Sequence, residues 1–511
     1  MALSLSFSMQ KKFITNLALV LGLNLLIKPV YIFGIDRLVQ NVVNPAEFGE
    51  YFTLLQFSFL LNIILDFGIT NFNNTNIAQN NHLLTKHFSS LVTLKLALAL
   101  VYIVATLISG IINGYDMRLT KLLMILGFNQ FLITFISYLR SNLAGLHLFK
   151  TDSIISVLDR LIMILICGPI LWVNWINRQM DIMTFVYAQT IAYGLTALIT
   201  FLIVLAKTHH FRLNWNWPFS IMILKKSIPY AILVLLMTFF NRIDTVMIFR
   251  ILPAAKGSGQ DFNSGAVQAS IYAQSYRMLD AVNMFAFLFS GLLLPMFSRM
   301  LKFKESTESL VKLSFTLLIT PAIIIGVGCY FYNREIIQML YSRHKDQSEE
   351  VYRFFLDQSA SVFRLLMWCF MCQSITYIFG TLLTANRNLK ELNILAAGCM
   401  ILNVTLNIIL IPRLLAFGSA ISALVTQLSM ALIQIVIVHK IFKFRINYRL
   451  LFTLLLFILG VVAANYFSKI FHFESKKWFV SFTEMVIASV LWAFFIRLIS
   501  IKSMFRLLKY G

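Results

Sequence analysis

Apolar residues run along this chain in stretches of about twenty, without the alternation of a half-buried strand or the one-sided stripe of a soluble helix. Such stretches occupy residues 13–33, 48–66, 90–110, 120–138, 153–173 and 183–206. A second set lies at 227–251, 276–298, 310–332, 360–385, 391–411 and 416–439, and two more at 450–469 and 479–499. A helix needs about 20 residues to cross a hydrocarbon core. Every backbone N–H and C=O must find its partner within the segment there, and the runs are too long and too continuous for barrel strands. The pattern predicts an all-α polytopic membrane protein with about fourteen transmembrane helices.

Composition agrees. The 511 residues are 59% hydrophobic and 13% charged, where soluble proteins run near 45–50% and about 25%. No soluble fold of this length hides so much apolar surface, because large cores divide rather than grow. The net charge of +22, from 43 Lys and Arg against 21 Asp and Glu, would raise nucleic-acid binding in a soluble chain. Here the basic residues sit in short segments between apolar runs, where they act as topology signals and contacts for membrane lipids. No nucleic-acid partner is expected. With the N-terminus placed inside, the inside segments hold the larger share of Lys and Arg, and an even span number returns the C-terminus to the same side. Both termini are expected to be cytoplasmic. The first run continues too far, without a small-residue cleavage site, for a cleavable signal peptide.

Two stretches resemble each other. Ile136-Ser137-Tyr138 precedes Leu143, a basic linker and the run from Ile154; Ile375-Thr376-Tyr377 precedes Leu382, a basic linker and the run from Ile394. Their separation of about 239 residues amounts to six spans, and both start on the same side, so the repeat is parallel. The expected organisation is a six-helix lobe over 1–210, a second over 211–445, and two further helices with a basic tail over 446–511. Two such lobes are a transporter layout, with substrate bound at the repeat interface.

A charge in hydrocarbon costs roughly 2.5–3.5 kcal/mol on insertion scales, so it usually faces a polar interior. Lys28, Arg242 and Arg364 lie deep within their spans, and Arg277 joins them as a cavity cation, with Asp280 three residues on as its alternative partner. Such cations suit an anionic substrate such as phosphate or diphosphate. Asp244 and Asp66 are candidates for ion coupling or for structural pairing; Asp66 precedes Phe67-Gly68, where a turn is expected. Lys95 lies near enough to a helix end to snorkel to the headgroups, and Asp159-Arg160 reads as an adjacent interfacial pair. The segment 333–359, rich in both charges, reads as solvated loop.

The five cysteines all lie in apolar segments, including the Cys369-x-x-Cys372 pair, and read as buried thiols without a metal. No Walker A loop, HExxH, GxSxG or DxD-type acid pair occurs. No catalytic residue or cofactor is expected, and energy for transport must come from a gradient or from product consumption.

The second span, from Asn44-Pro45-Ala46-Glu47-Phe48-Gly49-Glu50-Tyr51 to Asp66-Phe67-Gly68-Ile69, resembles the polysaccharide-export flippases of the multidrug/oligosaccharidyl-lipid/polysaccharide (MOP) exporter superfamily. So do Tyr138-Leu139-Arg140-Ser141-Asn142-Leu143-Ala144-Gly145 with Phe149-Lys150, and Ser227-Ile228-Pro229-Tyr230 with Asn241-Arg242-Ile243-Asp244. Ile271-Tyr272-Ala273 and Leu294-Pro295 extend the resemblance over about 400 residues in order. It implies a MATE-like bundle that moves a polyprenyl-diphosphate-linked oligosaccharide from the cytoplasmic to the outer leaflet of a bacterial inner membrane by alternating access. The product would feed O-antigen or capsule assembly, alongside polysaccharide polymerase or assembly proteins as partners. A lipid II flippase and a MATE-type drug exporter remain alternatives, and a membrane polymerase a weaker one. Drug exporters often carry an acid in the first span; this chain has none between Lys12 and Asp36 and has Lys28 instead, which favours an anionic substrate.

Overall fold

Where water is absent the backbone can bond only to itself, and the described residues are helical with no strand among them. The computed structural model describes residues 22–70, 73, 83–146, 148–172, 180–208, 212–213, 215–254, 262–343, 348–444, 447–470 and 478–499. The start of the first expected span, 13–21, and most of the basic tail lie outside them.

Helix α1 (residues 22–42) passes through a π-helical turn at Ile32–Asp36, a few residues after Pro29, which has no N–H to donate. The second expected span is divided between α2 (Pro45–Leu60) and α3 (Ile63–Asp66). Asn44 caps α2 by accepting from the Ala46 N–H at 2.9 Å, and Pro45 takes the first position, where no donor is needed. The turn expected after Asp66 is present, with Phe67 and Gly68 at φ of 44° and 74°. The chain continues through α4 (Leu83–Ile112), α5 (Met117–Gly145), α6 (Phe149–Trp172), α7 (Ile182–Thr208), α8 (Trp217–Ile251) and α9 (Gly265–Lys302). Then follow α10 (Glu308–Phe331), α11 (Asn333–Leu340), α12 (Glu349–Ala385), α13 (Leu389–Phe442), α14 (Tyr448–Ile470) and α15 (Trp478–Phe495).

Helix α13 is 54 residues long, yet it is two spans, because Leu415 breaks it with φ 56° and ψ −139° just after Pro412. Eleven of the described helices are long and apolar enough to cross a membrane. Dividing α13 at Leu415 and adding α1 and the α2–α3 pair reaches the fourteen expected. One expectation fails: residues 333–359 are mostly helical, not open loop. Helix α11 buries Ile337 and Leu340 beneath its charged surface. The Ser348 hydroxyl then accepts from the Val351 N–H at 3.3 Å and starts α12 early.

The chain forms two compact units, Met1–Ser270 and Ile271–Gly511. In the first, α5 packs against α2, α4, α6 and α7, and α2 also packs along α8. Phe88, Tyr138, Leu139, Leu143 and Val204 belong to one of its apolar clusters. In the second, α12 packs against α10, α11 and α13. The last two helices join α10 through Ile319, Ile323, Val327, Phe457, Val461 and Ala493. At the ends of these helices Lys469 pairs with Glu335, and the Tyr332 and Ser468 hydroxyls bond to each other.

Helix α2 meets the start of α9 with almost no clearance. A Cβ at Gly49 would lie 1.8 Å from the Ala266 carbonyl oxygen, and backbone cannot rotate aside as a side chain can. Overpacking typically costs about 1–3 kcal/mol. Gly49→Ala is therefore expected to lower the thermal unfolding midpoint in detergent and the yield of monodisperse protein. An unchanged midpoint would show that the two backbones separate without penalty.

Candidate functional site

Helix α1 is fastened along α6 by polar side chains within the apolar surface. The Asn24 amide donates to Ser156 Oγ at 3.2 Å, and the Trp172 indole N–H donates to the Gly34 carbonyl at 3.0 Å. Between these bonds Tyr31 faces Arg160, whose guanidinium lies 4.6 Å from the Tyr31 ring centroid and 5.9 Å from that of Tyr193 on α7. Arg160 also donates to the Tyr193 hydroxyl at 3.3 Å, and its Nε is 3.5 Å from Asp159. Two tyrosine faces and one hydroxyl thus fix the plane of the guanidinium.

Lys28 lies three residues before Tyr31 and is half-buried. Among the described residues it makes no hydrogen bond or ion pair, and the charges acting on it are Arg160, Asp159 and Arg140. Arg140 on α5 grips Asp152 on α6 with bonds of 2.7 and 3.3 Å. Among the described residues the cations Lys28, Arg140 and Arg160 stand with the carboxylates Asp152 and Asp159, a third carboxylate, Asp36, acts on Tyr31, and Lys28 is the cation of the group without an ion pair. In a membrane-embedded group a lysine without an ion pair favours an anion, and a fixed guanidinium suits phosphate oxygens.

A second group surrounds α2. Arg242 on α8 donates to Gln56 at 3.4 Å, with its guanidinium 5.1 Å from the Phe59 ring. Asp244 is buried two residues on. On the α7 side of α2, Gln189 donates to the Tyr51 hydroxyl at 2.9 Å. The expectation for Lys95 is overturned: it does not reach the headgroups but is 2% exposed, ion-paired with Asp66 and bonded to the Leu65 carbonyl at 3.2 Å. Burying an ammonium is tolerable here because α3 ends beside it, presenting a carboxylate and a free carbonyl together. Asp66 also accepts from the Thr70 hydroxyl, so the candidate coupling acid sits inside a paired network.

The other two cations lie in the second unit. The Arg364 guanidinium on α12 is 5.9 Å from both the Tyr330 and Phe417 rings. Arg277 is half-buried on α9. The five cysteines are buried and free of disulfides, and among the described residues no three His, Cys, Asp or Glu side chains gather as metal ligands.

Sequence reading missed Arg160 as a site residue. An adjacent Asp suggested an interfacial pair, but Arg160 lies six residues inside the run starting at Ile154, and only the fold brings Tyr31 and Tyr193 to it.

The sequence profile of the polysaccharide biosynthesis protein family matches residues 14–301, more than half of the chain. No curated protein matches by sequence. Among solved structures the fold is similar to the lipid II flippase MurJ in an inward-closed conformation. The TM-score is 0.68 at 14% identity, over 91% of this chain and 97% of that one. An inward-facing multidrug-resistance MATE transporter of the MOP superfamily gives 0.62 at 11% identity, over 84% and 98%. A MOP-superfamily transporter from Pyrococcus furiosus gives 0.54 at 12% identity, over 85% and 95%. These likenesses speak for the fold, and the profile speaks for the family. The chain is a multi-pass membrane protein with the fold of the MOP-superfamily transporters, and it belongs to the polysaccharide biosynthesis protein family.

Proposed function

We propose that this chain is a flippase that carries a polyprenyl-diphosphate-linked oligosaccharide from the cytoplasmic to the outer leaflet of the bacterial inner membrane, for O-antigen or capsule assembly. The observation that carries this reading is Lys28, which makes no ion pair among the described residues, beside the fixed guanidinium of Arg160 within a membrane-embedded unit. A diphosphate supplies a counter-charge for Lys28 and oxygens for Arg160, and the family supplies the glycan. Arg242, Arg277 and Arg364 serve as further contacts for the diphosphate or its sugars. Asp244 is the acid proposed for ion coupling, and Asp66 is assigned the structural role its pairing with Lys95 supports. Lobes over 1–210 and 211–445 alternate access, residues 446–511 add two further helices and a basic tail, and both termini face the cytoplasm. Polysaccharide polymerase and assembly proteins are the proposed partners on the outer side.

Cells deleted for the gene and complemented with wild type, Lys28→Ala or Arg242→Ala provide the test. Wild type is expected to restore surface polymer, and each variant to leave single repeat units on the cytoplasmic leaflet, with polymer reduced at least tenfold for Lys28→Ala. If single units reach the outer leaflet in the deleted cells and only polymerisation stops, the chain acts after flipping and this reading falls.

A further inference from the structure

Between α2, α3, α5 and α8, wholly within the first unit, lies a cavity of about 250 Å³. Water takes about 30 Å³ per molecule, so the space is too large for one bare ion and suits a single sugar ring better than an oligosaccharide. Its polar wall includes Asn62, Asp66, Gln130 and Thr238, and its apolar wall includes Phe59 and Leu235.

These polar groups are poised to bond something else. Gln130 is 1% exposed, and its amide oxygen has no hydrogen-bond partner among the described residues. The Thr134 hydroxyl shares its one proton between the Asn62 amide oxygen at 2.9 Å and the Gln130 carbonyl at 2.8 Å, and the Asn62 NH2 makes no hydrogen bond among the described residues. Ser137 returns its hydroxyl to the carbonyl four residues back, at 2.9 Å. Thr238 makes no such bond among the described residues. The one carboxylate, Asp66, is already balanced by Lys95, so the cavity carries no net charge to attract a cation. An uncharged space with donors, an acceptor, a carboxylate edge and an aromatic face fits the alternating hydroxyls and C–H face of a pyranose.

A neighbouring cation supplies the rest. Phe59, which lines the cavity, lies under the Arg242 guanidinium, and Thr238 is one helical turn from Arg242 on α8. A cation beside a neutral hydroxyl-binding pocket is the arrangement a sugar diphosphate requires.

We infer that this cavity holds the first sugar of the lipid-linked glycan, the one bonded directly to the diphosphate, with Arg242 one of the contacts to that diphosphate. The inference rests on the flippase reading and adds to it a site that selects cargo by one monosaccharide.

The full-length protein in detergent is titrated with farnesyl diphosphate and with farnesyl diphosphate linked to glucose, galactose or N-acetylglucosamine. At least one sugar-linked probe is expected to bind about tenfold more tightly than the bare diphosphate. Thr238→Val and Gln130→Leu each reduce that ratio below about threefold, and Thr238→Ser, which keeps the hydroxyl, preserves it. Arg242→Ala weakens bare and sugar-linked probes by the same factor. A ratio near one for every sugar, or one that survives both Thr238→Val and Gln130→Leu, overturns the sugar site while binding of bare diphosphate leaves the flippase reading standing. If bare farnesyl diphosphate does not bind and Arg242→Ala changes nothing, the flippase reading fails, and the sugar site with it.

Discussion

Arg160→Ala is expected to slow translocation of a polyprenyl-diphosphate sugar by about 10- to 100-fold while the protein stays folded. A hydrogen bond to a charged group is worth about 1.5–3 kcal/mol, and each 1.4 kcal/mol is about tenfold. The effect should be this large because Arg160 arrives already oriented, its plane set by Tyr31 and Tyr193, so little entropy is lost when it grips phosphate. Arg160→Lys keeps the charge but loses the fork and the stacking, and should fall between wild type and Ala. The measurement is the rate at which a short-chain polyprenyl-diphosphate sugar crosses a proteoliposome membrane. Equal rates for wild type and Arg160→Ala would make Arg160 a fastener of α1 to α6 and remove it from the substrate path.

Lys95→Ala should be more damaging to the fold than to transport as such. It strips Asp66 of its counter-ion in a place where Lys95 itself is 2% exposed. Removing one partner of a buried pair costs about 3–5 kcal/mol, against a total stability of about 5–15 kcal/mol. Most of the folded protein should be lost on size-exclusion chromatography in detergent. The double variant Lys95→Met with Asp66→Asn leaves no unpaired charge and should recover much of that yield. If the double variant is as poor as Lys95→Ala alone, the pair contributes more than mutual neutralisation, and Asp66 regains standing as a functional acid.

The spans were legible because lipid imposes one rule on every segment, and twenty apolar residues announce themselves whatever they pack against. Even the division of α13 was visible, since Pro412 and Arg413 interrupt the apolar run. Individual charges were another matter. Lys95 reads as a snorkelling residue by its distance from the helix end, because its partner Asp66 belongs to another helix and position along one helix says nothing of it. Arg160 was obscured in the opposite way: its nearest charge, Asp159, is adjacent in sequence, while the tyrosines that hold it come from two other helices. Residues 333–359 misled through composition, since α11 is short and hides two apolar side chains beneath a charged surface. Sequence gives depth; only the fold gives neighbours.

The bond between Lys95 and Asp66 also bears on how the chain enters the bilayer during synthesis. The two residues are 29 positions apart, and Asp66 leaves the ribosome first. Alone in a departing helix, either charge carries an insertion penalty of roughly 2.5–3.5 kcal/mol. Leaving the translocon together, as a hairpin with the pair already closed, they avoid most of it. The segment carrying α2 and α3 should therefore linger at the translocon until α4 arrives, which makes these helices a single unit of membrane insertion.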